Sequence, residues 1–360
     1  MYRVLVYPYN QGDSCLAEYR SMLEQYEIVS LVCLKGANEN GKFAGVQKDT
    51  SAGILITENY EGEMDKCDAV LFLEYHFLEH KDTYIEKMGS ALLKNKVIML
   101  NQTIYDECQK LIGDSSNIVI FDNSLEMELR QQVYKKRLVQ PDIPVAAVMS
   151  LGENCNKFEA QLELRKKFME KGYKVLQFGT KDYCELFGFK KLPSFLMAED
   201  LSIVNKIHMF NYYINREVLK DNYDVIVIGG AGGILPFDQY ISNHFGEITF
   251  IISSALNIDI NVICIYHNDQ AKVEELKEFR EYCKGKIGCF SDYFYMSDKQ
   301  YRIPESHQIE YFQLDRQYCI KSIPEIKDDD IKFCHCLDEE KKSQMLDSII
   351  CELEENIELV

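Results

Sequence analysis

Lys157 stands where a lysine could bind a phosphate group. It follows a hydrophobic strand pattern, Val145–Leu151, and a short loop that contains Gly152, Asn154 and Asn156. A helical pattern begins directly after it. The free N–H groups and the dipole at a helix N-terminus attract anions, and a lysine there adds a positive charge. The segment therefore predicts the arrangement of a phosphate-binding loop.

The loop departs from the nucleotide-binding pattern G-x-x-x-x-G-K-[ST] at three positions. Asn156 stands where the second glycine would be, Phe158 replaces the hydroxyl residue, and Leu151 replaces the first glycine. The missing hydroxyl would hold magnesium, which neutralises charge during phosphoryl transfer. The alternative interpretation is an ordinary strand–helix connection in which Asn154 or Asn156 caps the helix.

A second candidate ligand site is the glycine turn that follows the strand pattern Asp224–Ile228. Its glycines are Gly229, Gly230, Gly232 and Gly233. Glycine adopts positive φ and allows a backbone to approach a ligand closely. In open α/β sheets, ligands bind outside the carboxyl ends of strands. The alternative is a turn that only allows a helix and the sheet to pack.

Cysteine and histidine residues offer other chemistry. Cys334, His335 and Cys336 carry side chains that bind zinc, with Cys319 and His307 as the only nearby additions. The usual spacing of two to four residues between cysteines is absent, so an incidental cluster is favoured and no metal site is predicted.

Cys155 is a candidate nucleophile, because a thiolate is favoured at the start of a helix. No histidine is paired with it by the sequence. A free cysteine in an apolar setting commonly has a packing role, and we favour that interpretation.

The elements that would position these residues alternate between strand and helix. Residues 1–122 contain six apolar strand patterns, with helical patterns near residues 13–26, 80–94 and 104–112. Apolar strands joined by helices indicate parallel sheets with helices on both faces. We therefore predict an α/β protein with two three-layer α/β/α domains and mainly parallel sheets.

The domain boundaries follow from changes in this pattern. We predict a small flavodoxin-like domain at 1–122, a linker helix at 123–143 that ends near two prolines, and a second α/β domain at 144–290. Residues 291–360 are predicted to form a C-terminal extension with an acidic helix at Glu339–Ile357.

The composition limits the class of partner. The net charge of −18 argues against nucleic acids and anionic membranes, because phosphate binding needs a basic face. No apolar segment reaches the roughly 18 residues of a membrane span. The thirteen cysteines are mostly scattered singly and no signal-peptide pattern is present, so reduced thiols and a cytoplasmic location are expected.

The segment from Asp224 to Phe237 resembles the hydrophobic–Glu-Gly-Ala-Gly-Gly turn of the dethiobiotin-synthetase-like branch of P-loop proteins. In that family the acidic residue at the start of the turn helps to hold magnesium, and Gly229 takes its place here. With Phe158 in the hydroxyl position, both metal-anchoring side chains are missing. The resemblance covers residues 144–267 and implies a P-loop NTPase-like fold with a degenerate site.

A second resemblance spans most of residues 1–267. It rests on the segments Val4–Pro8, Glu27–Cys33, Gly41–Gly45, Cys67–Leu73, Leu151–Glu159 and Gly229–Pro236. Together they resemble bacterial peptide maturation system proteins, which are encoded beside precursors of ribosomally synthesised, modified peptides such as bacteriocins. The resemblance implies a pathway and not a mechanism.

We therefore expect an accessory protein that binds the precursor peptide or a peptide-modifying enzyme, without a cofactor or nucleotide hydrolysis of its own. The alternative is a nucleotide-dependent, ligase-like enzyme that uses ATP at the 152–158 loop and the 229–233 turn. The sequence does not decide whether the protein catalyses a reaction, and it does not fix the oligomeric state.

Overall fold

The structure, a computed structural model, describes residues 1–45, 53–113, 116–121, 129, 137–288 and 291–357. The chain forms two compact units. Unit 1 consists of Met1–Asn123 and Lys181–Lys191, and unit 2 consists of Ser124–Thr180 and Leu192–Val360. The chain therefore leaves unit 1, enters unit 2, and returns to unit 1 for one short segment.

Seven strands form the sheet of unit 1. They are β1 (Tyr2–Tyr7), β2 (Tyr26–Val32), β3 (Phe43–Ala44), β4 (Ile54–Thr57), β5 (Ala69–Phe72), β6 (Val97–Asn101) and β7 (Ile118–Phe121). Their order is β3-β4-β2-β1-β5-β6-β7, and every pair is parallel except β3 with β4. The interior strand β5 is buried at every position, as expected for an apolar strand covered on both faces.

Four helices of unit 1 connect these strands. They are α1 (Cys15–Glu18), α2 (Tyr60–Glu63), α3 (Lys81–Leu93) and α4 (Gln102–Ile112). Tyr84 and Met88 of α3 and Ile104 of α4 pack on one face of the sheet. Helix α4 begins at Asn101, whose side chain accepts a hydrogen bond from the Ile104 amide at 2.9 Å, and it ends at Gly113.

The returning segment Lys181–Lys191 is held by buried polar contacts within unit 1. The Tyr183 hydroxyl donates to Asp13 Oδ1 at 2.9 Å, and the Lys181 ammonium lies 2.9 Å from the same oxygen. The rings of Tyr183 and Phe187 are buried. This segment is therefore part of the core of unit 1.

The second half of the chain contains nine strands among its described residues. They are β8 (Val145–Ser150), β9 (Val175–Gly179), β10 (Lys190–Lys191), β11 (Val225–Gly229), β12 (Ile260–Ile265), β13 (Tyr293–Met296), β14 (Lys299–Arg302), β15 (Glu310–Gln313) and β16 (Lys332–His335). The large sheet of unit 2 has the order β9-β11-β8-β12-β13-β16. Its pairs from β9 to β16 are parallel, whereas β14 and β15 form a separate antiparallel pair.

Helices cover both faces of this sheet. They are α5 (Lys157–Glu170), α6 (Ile203–Val218), α7 (Glu247–Ala255), α8 (Val273–Ile287), α9 (Arg316–Lys321) and α10 (Glu339–Ile357). Helices α5 and α10 pack with Ala146 and Val148 on one face. Helices α6, α7 and α8 pack with Ala147 and Met149 on the other. The alternation of β8 side chains between the two clusters follows from the period of two in a strand.

The predicted fold class is confirmed: two three-layer α/β units with mainly parallel sheets. The structure differs from the predicted boundaries. Strands β13 and β16 belong to the large sheet, so residues after 290 are part of unit 2 and not an extension from it. Helix α10 has the predicted bounds, but Ile349 and Leu353 bury its inner face against the sheet.

Two further predictions concern helices. The predicted linker helix at 123–143 lies largely outside the described residues. The predicted helix at 13–26 is replaced by α1 and short 3₁₀ turns, because β2 already begins at Tyr26. No helix in the described ranges has the length and apolar character that a bilayer span requires.

Candidate functional site at the carboxyl edge of the second sheet

Adjacent strands β8 and β11 send their connections to opposite faces of the large sheet. Helix α5, which follows β8, packs on one face, and helix α7, which follows β11, packs on the other. A crevice opens at such a point outside the carboxyl ends of the strands, where open α/β proteins bind ligands. The 152–158 loop and the 229–233 turn border this crevice, so the fold brings the two predicted sites together.

Lys157 joins these two segments directly. Its ammonium donates a hydrogen bond to the carbonyl oxygen of Gly232. The side chain is only 9% exposed, and burial lowers its pKa, while the charge of Glu153 opposes that shift. The Ser150 hydroxyl donates to the Gly152 carbonyl in the same loop. The lysine that the sequence assigns to a phosphate is thus bound to the backbone of the glycine turn.

The glycines of the crevice lie against other parts of the chain. A methyl group added at Gly152 would come within 2.5 Å of the Tyr266 hydroxyl and would meet the Phe237 ring. One added at Gly233 would lie 2.6 Å from the Cα of Gly152 and would also meet the Leu151 carbonyl. Glycine is required at Gly152 because two aromatic side chains approach it, and at Gly233 because the turn packs on the loop.

Gly229, Gly230 and Gly232 differ from one another in their surroundings. A methyl group at Gly229 would meet the buried side chain of Gln161. At Gly230 the nearest atom would be Met149 Cγ at 3.6 Å, an ordinary contact. Gly232 has a φ of +68°, a conformation that favours glycine.

Three aromatic rings cover the loop. The ring centroid of Tyr301 lies 4.7 Å from that of Phe237 and 4.7 Å from that of Tyr266. The Tyr266 hydroxyl donates to the Glu153 carbonyl at 2.5 Å. This aromatic cluster fills the space beside Gly152 with the protein's own side chains.

The asparagines of the loop do not have the expected capping role. Asn154 and Asn156 adopt left-handed conformations, with φ values of 50° and 53°. Asn156 precedes α5, but its side chain makes no capping hydrogen bond. Instead its amide nitrogen donates to Asp298 Oδ1 at 3.0 Å, and its Oδ1 has no hydrogen-bond partner in the described part of the chain. The capping prediction for Asn156 is therefore wrong.

Cys155 is fully buried, and burial raises the pKa of its thiol to about 12. A thiol with that pKa supplies almost no thiolate near neutral pH, so the structure favours the packing role. The cysteines of the described ranges all carry free thiols, and Cys351 alone among them is exposed.

A group of buried imidazole and thiol side chains lies at the same edge of the sheet. Ligand atoms of His267, Cys319 and His335 all lie within 4.8 Å of one another. Cys334 points into the core beneath α5 and α10. His307 lies against Tyr240, with ring centroids 3.9 Å apart and the ring planes tilted by 35°. Sequence reasoning placed His335 near Cys319 but missed His267, which is distant in sequence and follows the neighbouring strand β12.

A cavity of about 330 Å³ opens between α6 and α7. Its lining residues are Leu196, Met197, Ala198, Glu199, Leu201, Lys206, His244, Glu247 and Ile248. The ammonium of buried Lys206 lies 2.7 Å from a carboxylate oxygen of Glu247. Sequence reasoning did not identify this cavity, because no motif marks its residues.

The turn before α7 holds three consecutive residues in left-handed conformations. Asn243, His244 and Phe245 have φ values of 48°, 50° and 51°. Each such residue costs about 1–2 kcal/mol unless it is glycine. The Asn243 amide nitrogen donates to the Leu151 carbonyl at 3.0 Å and to the Leu235 carbonyl at 2.7 Å, which ties the turn to the crevice.

Comparisons with known proteins support the fold alone. No protein-family model matches the sequence, and no curated protein matches it. The chain is similar to the crystal structure of a DUF1611 family protein from Anabaena variabilis, with 13% sequence identity and a TM-score of 0.59. The similarity covers 98% of this chain and 100% of that one. The two proteins therefore share their architecture over their whole length.

Proposed function

We propose that this protein is an accessory protein of peptide maturation, which binds a precursor peptide and does not hydrolyse nucleotides. The observation that carries the proposal is the hydrogen bond from the Lys157 ammonium to the Gly232 carbonyl. In a nucleotide site that ammonium would bind phosphate oxygens. In this protein the Gly232 carbonyl accepts the hydrogen bond that a phosphate oxygen would accept.

Displacing this contact would be costly for a nucleotide. It would break the hydrogen bond to the part-buried Gly232 carbonyl, a loss of about 0.5–1.5 kcal/mol, and would leave the Ser150 hydroxyl at 3.4 Å as the remaining donor. The aromatic cluster of Phe237, Tyr266 and Tyr301 would also have to move from the loop. No hydroxyl follows Lys157 and no carboxylate stands at Gly229 to hold magnesium. We therefore assign the crevice a structural role.

The proposed peptide site is the cavity between α6 and α7. The Lys206 ammonium lies 2.7 Å from the Glu247 carboxylate and neutralises it. Glu199 therefore gives the cavity lining a net negative charge, which suits a basic side chain. Phe245 follows His244 of the cavity lining. It is 68% exposed, and its backbone has a left-handed conformation. A strained, exposed aromatic residue beside a cavity is typical of a binding site, because strain is retained where it serves a ligand. The net charge of −18 would also attract a basic peptide.

The test is calorimetric titration with a candidate precursor peptide, chosen by searching the genes next to that of this protein for a short open reading frame. We expect the wild-type protein to bind, and we expect Phe245→Ala and Glu199→Gln each to weaken binding at least about tenfold, which is roughly 1.4 kcal/mol. The matched control is Phe312→Ala, which removes another part-exposed phenylalanine of unit 2. Wild-type protein that does not bind the peptide, or a Phe245→Ala variant that binds as tightly, would contradict the proposal. Binding only to a tailoring enzyme would also contradict it.

The second candidate function is a nucleotide-dependent, ligase-like activity. The observation in its favour is that Lys157 and the glycine turn meet at a topological switch point, where such sites form. Titration with ATP and magnesium tests it. Heat that disappears in Lys157→Met would support this candidate and count against a purely structural crevice.

A further inference from the structure

Three separate elements bring His267, Cys319 and His335 together. His267 follows β12, His335 is the last residue of β16, and Cys319 lies on helix α9. All three side chains are buried, with exposures of 3%, 0% and 0% for His267, Cys319 and His335. Parallel strands end at the same edge of a sheet, which explains why residues so distant in sequence converge.

The hydrogen bonds around the two rings fix their protonation. His335 Nδ1 accepts a hydrogen bond from the Leu337 amide at 3.1 Å, so the proton of the neutral ring lies on Nε2. That Nε2–H points to His267 Nδ1 at 3.0 Å. His267 Nε2 in turn lies 3.0 Å from the Ser322 hydroxyl, whose own proton is donated to the Tyr318 carbonyl at 2.7 Å.

Both rings are therefore neutral in this arrangement, with the His335 proton on Nε2 and the His267 proton on Nε2. Burial, followed by the neighbouring His267, lowers the pKa of His335 to about 4. Burial also lowers the pKa of His267.

The atom types and separations suit zinc. Zinc accepts nitrogen at about 2.0–2.1 Å and sulfur at about 2.3 Å, usually in a tetrahedral arrangement. Ligand atoms in such a site lie about 3.3–3.7 Å apart, and the three atoms here need only a small adjustment from separations of up to 4.8 Å. A zinc ion with one thiolate carries one positive charge. The Asp298 carboxylate, whose charge acts on His267, His335 and Cys319, would balance it.

We propose that His267 Nδ1, His335 Nε2 and Cys319 Sγ bind a zinc ion. This inference is independent of the proposed peptide site, which lies between other helices.

Zinc binding has a defined proton balance. The Cys319 thiol loses its proton to solvent, and the His335 proton moves from Nε2 to Nδ1. Nδ1 then cannot accept the Leu337 amide, so that hydrogen bond breaks. Cys336 Sγ lies 3.8 Å from Nδ1 and can accept a hydrogen bond from the new Nδ1–H. A second contact of this kind orients a metal-binding histidine and raises its basicity.

The test uses the full-length protein with zinc and with cobalt as a spectroscopic substitute. We expect one zinc per chain after dialysis, and a cobalt complex with thiolate-to-metal absorption. Cys319→Ser and His335→Gln should each reduce zinc affinity at least tenfold. Cys283→Ser, which alters another buried cysteine of unit 2, should leave the affinity unchanged. Circular dichroism of each variant verifies that it is folded.

X-ray absorption at the zinc edge of the wild-type protein gives a result that does not depend on any variant. We expect one sulfur and two imidazole neighbours. A zinc coordination shell without a sulfur ligand, or less than one zinc per chain in the wild-type protein, would overturn the proposal. Cobalt bound without thiolate absorption would overturn it as well.

Discussion

The side-chain amide of Asn156 donates a hydrogen bond to Asp298 Oδ1 at 3.0 Å. Asp298 follows β13, and its other oxygen accepts from the Gln313 amide at 2.8 Å. Burial lowers the pKa of His335 and the charge of Asp298 opposes that shift, whereas burial raises the pKa of Cys319 and the charge of Asp298 adds to it. One carboxylate therefore connects the loop after β8 with the imidazole and thiol group beyond β12.

The first prediction concerns this carboxylate. Asp298→Asn keeps the size of the side chain and removes the charge that would balance a bound zinc ion. We expect zinc affinity to fall about 10–100-fold, the usual effect of removing a group that supports metal ligands. Competition with a chromophoric chelator measures it. Asp329→Asn, a change at an exposed aspartate, is the control, and equal affinities for the two variants would refute the role of Asp298.

The second prediction concerns pH. The pKa of His335 falls from 6.5 to about 4 on folding, because the ring is buried beside His267. Between these values the unfolded protein binds more protons than the folded one, so stability decreases as the pH falls from 6.5 towards 4. His335→Gln removes this contribution. The stability difference between wild type and variant should therefore shrink by on the order of 2–3 kcal/mol over that range.

Urea unfolding without added metal at several pH values measures this difference. His80→Gln, at an exposed histidine, should run parallel to the wild type. If the unfolding free energy of His335→Gln changes with pH in the same way as that of the wild type, the fold does not hold this histidine neutral.

The third prediction compares two glycines of the same turn. Gly233→Ala would place a methyl group 2.6 Å from the Cα of Gly152, so the backbone must shift, and we expect a loss of roughly 1–3 kcal/mol or more. Gly230→Ala meets nothing closer than 3.6 Å and should change stability by less than about 1 kcal/mol. Urea unfolding of both variants measures the contrast. Equal losses would show that the turn and the loop do not pack as described.

The fourth prediction concerns the strained turn. Phe245→Gly removes an exposed side chain and relieves a left-handed backbone with a φ of 51°. We expect the free energy of unfolding to rise by about 1 kcal/mol, while peptide binding weakens. Thermal unfolding and calorimetric titration measure the two effects. A variant that is both less stable and fully able to bind would remove the argument that strain serves binding.

The sequence predicts the fold well where the hydrophobic pattern is continuous. Strand β11 and helix α10 lie at or close to their predicted positions, because each has a long apolar or amphipathic repeat. Strand β16 was missed: Lys332–His335 contains two polar residues, and its burial depends on α10, which packs over it. A tertiary contact of this kind leaves no periodic signal in a short segment.

The sequence predicted only part of the candidate sites, because local patterns mark some of their residues and tertiary contacts determine the rest. Lys157 and Gly232 were identified, because a lysine at a helix start and a glycine cluster after a strand are local patterns. That they bind each other instead of a shared ligand depends on Phe237 and Tyr266, whose approach to Gly152 no local pattern encodes. The His267–Cys319–His335 group depends on strand order, which the sequence does not give.

The segment Lys181–Lys191 has a practical consequence for dissecting this protein. A single truncation point cannot separate the two units. A fragment that ends near residue 123 lacks Tyr183, whose hydroxyl contacts Asp13 and Cys15. Such a fragment would also lack the buried rings of Tyr183 and Phe187. Truncation experiments on the amino-terminal half therefore need that segment supplied in trans or grafted through a linker.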